Sequence, residues 1–78
     1  MSKLPSLSTT EVLRALRKAG FVDAPVRGKG SHHALTKTEL SGLKRLVIVP
    51  ERKDIPTGTL VAIVKQAGLT RDEFIELL

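Results

Sequence analysis

The chain has 78 residues and no cysteine, with 13 Lys and Arg against 8 Asp and Glu, a formal charge of +5. That length fits one domain with a thin core, and the missing cysteines exclude a disulfide framework and a thiolate metal site. No apolar run approaches the roughly 20 residues that span a bilayer. The opening Met1-Ser2-Lys3-Leu4-Pro5 lacks the apolar core of a signal peptide, so a cytoplasmic protein is expected.

In chain order, residues 1–7 read as a short extension. A first helix opens at Ser8-Thr9-Thr10-Glu11, a capping box in which Ser8 caps the Glu11 amide and Glu11 reaches back. Leu7 and Val12 are spaced as a hydrophobic staple. Val12, Leu13, Leu16 and Ala19 recur at helical spacing, and Gly20 ends the run with Phe21 closing back on Leu16.

Phe21 to Arg27 favours a strand but contains Pro25, so it reads as an edge strand at best. Gly28-Lys29-Gly30 is a turn, Ser31 to Thr36 a second strand, and Lys37 to Gly42 a loop. Leu43 to Val49 is the clearest strand, stopped by Pro50. A second helix runs from about Thr57 to Ala67, with Pro56 at its start and Gly68 as its stop. A short last helix, covering 70–78, begins with a second capping box, Thr70-Arg71-Asp72-Glu73, with Leu69 and Phe74 as its staple. The expected fold class is α+β: an α-β-β-β-α order with an extra C-terminal helix, a three-stranded antiparallel sheet and helices on one face. The other face is left for solvent or a ligand.

The charge is concentrated. Arg27, Lys29, Lys37, Lys44, Arg45, Arg52 and Lys53 face only Glu39 and Glu51 between positions 27 and 53, so this segment carries the whole excess of +5. Such a field attracts polyanions, although an ordinary solvated basic face reads the same way. With Phe21 and Phe74 as the only aromatics, base stacking has little to work with.

The only histidines, His32 and His33, follow Gly28-Lys29-Gly30-Ser31. An imidazole titrates near neutrality and can take or give a proton. Adjacent strand residues point to opposite faces. Leu35 is the larger hydrophobe and is expected under the helices, which places His33 beside it and His32 outward with Ala34 and Thr36. An inward Ala34 would reverse this. Gly28 and Gly30 would let a phosphate approach backbone amides just before His32, with Lys29 and Arg27 alongside. A proton-transfer group, amide donors and cations are what metal-free RNA strand cleavage requires. The same six residues also fit a plain hairpin turn followed by structural histidines. Two consecutive histidines in a strand do not readily hold one metal, and Ser31 has no evident base beside it.

Several blocks in order resemble the HicA toxin family: Ala19-Gly20-Phe21; Gly30-Ser31-His32-His33; Val47-Ile48-Val49-Pro50; Lys53-Asp54-Ile55-Pro56-Thr57-Gly58-Thr59-Leu60; and Ala67-Gly68-Leu69. The resemblance covers about residues 8–78. It implies a double-stranded-RNA-binding-domain-like fold and the toxin half of a type II toxin–antitoxin pair, an mRNA-cleaving endoribonuclease that uses no cofactor or metal. It also implies a HicB-type antitoxin as partner, and His32 as the catalytic histidine with Gly30, Ser31 and Lys29 in support. The seven bases between 27 and 53 would then meet RNA, and His33 reads as a supporting residue. Three positions depart from the family pattern. Leu35 stands where an aromatic is common, the segment Lys37–Lys44 is longer than usual, and Glu51 lies near a place where many members carry a histidine. The resemblance therefore supplies no second titrating group on that loop and leaves the proton-transfer partner of His32 unassigned. A non-catalytic RNA-binding module of the same fold is the alternative.

Overall fold

A computed structural model of the chain describes residues 3–24 and 32–78. The elements are α1 (Thr9–Lys18), β1 (Val22–Asp23), β2 (His32–Thr38), β3 (Lys44–Pro50), α2 (Thr57–Gln66) and α3 (Arg71–Glu76). The fold is α+β with the layout of a double-stranded-RNA-binding domain plus one further helix.

Both expected capping boxes form. The Ser8 hydroxyl accepts from the Glu11 amide while the Glu11 carboxylate accepts from the Ser8 amide at 2.9 Å, and Thr70 and Glu73 repeat the exchange. The ends of α1 and α2 are alike. The Phe21 amide returns to the Leu16 carbonyl and that of Gly20 to Arg17, while Leu69 returns to Val64 and Gly68 to Lys65. Each of these paired closures needs a left-handed residue, and Gly20 (φ 102) and Gly68 (φ 74) supply it.

The sheet is antiparallel in the order β1-β2-β3. Strand boundaries differ from expectation: β3, expected at Leu43–Val49 with Pro50 as its stop, runs Lys44–Pro50 and includes the proline. β1 covers only Val22–Asp23, extended by a bond from the Ala24 amide to the Ala34 carbonyl; Pro25 to Arg27 lie outside the described residues. β2 runs on to Thr38, so Lys37 and Thr38 belong to a strand rather than a loop, and the turn is confined to Glu39–Leu43.

The register explains both faces. Leu35 pairs with Val47 and His33 with Val49, and these residues point towards the helices; Leu35, Val47 and Val49 are fully buried. They close a core with Leu7, Val12, Leu16, Phe21, Ile55, Leu60, Ile63 and Phe74. Burying such side chains stabilises by about 1.5–3 kcal/mol each, offset largely by chain entropy. Leu7 belongs to this core, and its carbonyl accepts from the Ile55 amide at 2.8 Å. The opposite face carries His32, Ala34, Thr36, Lys44, Leu46, Ile48 and Pro50. No helix among the described residues lies over it, and Val22 and Leu46 remain 60% and 57% exposed.

Candidate nucleic-acid site

His32 opens β2 and lies opposite Pro50, the last residue of β3. Its side chain is exposed. The position follows from the pleat. Packing Leu35 under the helices turns every even-numbered residue of β2 to the open side. Pro50 is tolerated here for a reason visible two residues earlier. The Ile48 amide points away from β2, towards Gln66 Oε1 at 3.4 Å, so an N–H at Pro50 would serve no ladder bond.

His33 turns to the helix side at the same end of the sheet. Its Nε2 lies 2.5 Å from Glu51 Oε1, with both side chains about half exposed. Glu51 is held in place by its neighbours. The Thr9 hydroxyl donates to the Pro50 carbonyl at 2.6 Å and accepts from the Arg52 amide at 2.7 Å, and the Thr9 amide donates to the Arg52 carbonyl at 3.0 Å. Thr9 is 2% exposed, the one buried polar side chain among the described residues. Buried polar groups must be paired, and here the pairing fixes the backbone on both sides of Glu51.

The basic residues do not form one cluster. Arg52 and Lys53 are exposed and follow Pro50 by two and three positions, at the His32 end; Arg52 Nε reaches the Asp54 carbonyl at 3.4 Å. Lys37 and Arg45 form a cross-strand pair near the other end, five rows away, or about 17 Å at strand rise. Both turn to the helix side, where α1 and α2 end. Lys37 Nζ donates to the Ala19 carbonyl at 2.6 Å and lies 5.9 Å from the Phe21 ring centroid. The Arg45 guanidinium lies against Gly68, where an added Cβ would collide with it, and its Nε donates to Glu39 at 2.5 Å. Two like charges directly opposite would repel. The negative ends of two helices and one carboxylate hold them together. Lys44 is exposed on the open face, but opposite Thr38, at the end away from His32. Arg27, Gly28, Lys29, Gly30 and Ser31 lie outside the described residues.

The structure thus sets His32 opposite Pro50, with Arg52 and Lys53 following Pro50 by two and three positions in the chain, joins His33 to Glu51 on the helix side, and sets Lys37, Lys44 and Arg45 towards the other end of the sheet. Sequence reasoning missed Thr9 and the partner of His33. Thr9 had one usable signal, as a hydroxyl at the first position of an otherwise apolar helix face. Glu51 had none, since it meets His33 only through strand register. Among the described residues no group of three His, Asp or Glu side chains is placed to share a metal ion, and no helix is long and apolar enough to cross a membrane.

A search of curated proteins finds no match to the chain. The family model described as the HicA toxin of bacterial toxin–antitoxin systems matches residues 9–69, from the first residue of α1 to just beyond the turn that ends α2. That match covers well over half of the chain, which therefore belongs to the HicA toxin family.

Proposed function

We propose that this toxin is a metal-independent endoribonuclease that cleaves mRNA, with His32 as general acid or base. The observation that carries the reading is the exposed imidazole of His32 on the sheet face that no helix covers, with Arg52 and Lys53 close in the chain to its partner Pro50. In the reaction the ribose 2′-hydroxyl attacks the adjacent phosphorus. The 2′-O–P bond forms, the P–O5′ bond breaks, a base takes the hydroxyl proton and an acid protonates the leaving 5′-oxygen. A placed imidazole contributes roughly 10²–10⁴ in rate, and cations or amides aimed at the charged phosphorane add to that. Gly30, Ser31 and Lys29 are the proposed amide and cation donors beside His32. Arg27, Arg52 and Lys53 are further proposed phosphate contacts, and Lys44, opposite Thr38 at the other end of the open face, is a more distant one. The anchoring of Lys37 and Arg45 at helix ends gives these two a structural task, which weakens their case as RNA ligands.

The partner is proposed to be a HicB-type antitoxin that covers His32 in the cytoplasm. Exposed Val22, Leu46 and Ile48 on the same sheet face as His32 support this, because large apolar side chains grouped on one face mark a surface that a protein can cover. The test is incubation of the wild-type protein with single-stranded RNA in the presence of a chelator. Cleavage products are expected. Intact RNA together with tight, salt-sensitive binding to duplex would instead establish the non-catalytic RNA-binding module.

A further inference from the structure

His32 is the first residue of β2, and among the described residues the pairing of β1 with β2 ends at the Ala24–Ala34 bond, two positions short of it. Its own amide and carbonyl, like those of Ala34, point away from β3, because it shares the alternation in which Ala34 turns its carbonyl to β1. His32 is therefore held to β3 through its neighbour. The His33 backbone pairs with Val49, and the His33 ring meets Glu51. Glu51 is fixed in turn by the Thr9 bonds to Pro50 and Arg52, which tie this end of β3 to the start of α1.

We propose that Glu51 is a positioning residue for His32, acting through His33. The inference rests on the reading of His32 as the reacting group. The Glu51 carboxylate anchors the His33 ring on the helix side of β2, which sets the pleat of the strand end and so the direction in which His32 is presented on the open side. The proposal also accounts for a carboxylate among cations on a protein that binds a polyanion. Left to electrostatics alone, Glu51 would repel RNA, and removing it would strengthen binding.

That opposition gives the test its sign. Glu51→Ala, compared with Glu51→Gln, is assayed on a short single-stranded RNA at 25 °C. Positioning predicts that kcat falls roughly 10–100-fold in the alanine variant, the scale of loss when a reacting group is misplaced by about an ångström, while KM is unchanged or lower. Glu51→Gln keeps an acceptor for the His33 N–H and is expected to restore kcat to within about threefold of wild type. A second readout does not depend on cleavage. The Hα–Hβ couplings of His32 are expected to collapse to rotamer-averaged values in the alanine variant and to keep their wild-type values in the glutamine variant. Alanine kcat equal to or above wild type, or couplings unchanged by Glu51→Ala, would overturn the proposal. An inactive wild type with couplings that still respond would overturn the nuclease reading and leave the positioning of His32 by Glu51 standing.

Discussion

At one end of the sheet His32 lies opposite Pro50; near the other, Lys37 lies opposite Arg45. Both ends are basic in sequence, yet the charges are differently employed. Arg52 and Lys53, just past Pro50 in the chain, leave the sheet on an exposed segment. Lys37 and Arg45 are turned inward against the C-terminal ends of α1 and α2, where carbonyls left without amide partners attract cations. The contrast teaches that a run of positive residues in a small domain has to be divided before it is read as a binding surface. Part of it can be consumed in closing helices.

The largest effect separates Arg52 and Lys53 from Lys37. Replacing both Arg52 and Lys53 by alanine is expected to weaken RNA binding and flatten the dependence of log Kd on log salt by roughly 0.7 per cation on single strands, with melting almost unchanged. Lys37→Met should do the reverse, lowering stability by about 1 kcal/mol through the lost helix-end bond while the salt slope stays put. If Lys37→Met flattened the slope as much as the double variant, the division between the two ends would be wrong. Gly68→Ala comes next. A side chain at φ 74 is strained, and its Cβ would push against the Arg45 guanidinium. A loss of about 1–2 kcal/mol is expected, seen as a fall in Tm of roughly 4–8 °C per kcal/mol in a domain of this size; an unchanged Tm would contradict the packing of Arg45 over the end of α2.

The smallest effect lies in the capping box of α1. The Ser8 backbone amide, then the Ser8 side chain, and then Arg14 hold the Glu11 carboxyl below its ordinary pKa of 4.5. A depressed folded-state pKa means that this contribution to stability is complete above about 4.5, the unfolded value, and is lost as pH falls through the lower folded value. Glu11→Gln should therefore narrow the gap in Tm between neutral and acid pH slightly, and a gap as wide as that of wild type would remove Glu11 from the account.

How much could be read beforehand depended on distance along the chain. The caps at Ser8–Glu11 and Thr70–Glu73, and the glycine stops at Gly20 and Gly68, are local, and residue identity at three or four positions is enough to specify them. The outward turn of His32 followed from one hydrophobe, Leu35, because the strand period propagates a single burial decision along β2. What escaped was set by register across 18 or more residues. The His33–Glu51 contact and the Thr9 bonds to Pro50 and Arg52 are of this kind. The strand extension over Lys37 escaped for a related reason. A lysine reads as solvated until the carbonyl at the end of α1 is known to lie beneath it.

The proposed role of the His32 imidazole, exposed on the open side of the sheet, is proton transfer in RNA cleavage. The most direct measurement compares wild type with His32→Ala on single-stranded RNA with chelator present, alongside thermal melting of both. Cleavage by wild type and a loss of roughly 10²–10⁴ in rate for the variant are expected, with Tm and secondary structure retained. Equal cleavage by a folded His32→Ala protein would contradict that role.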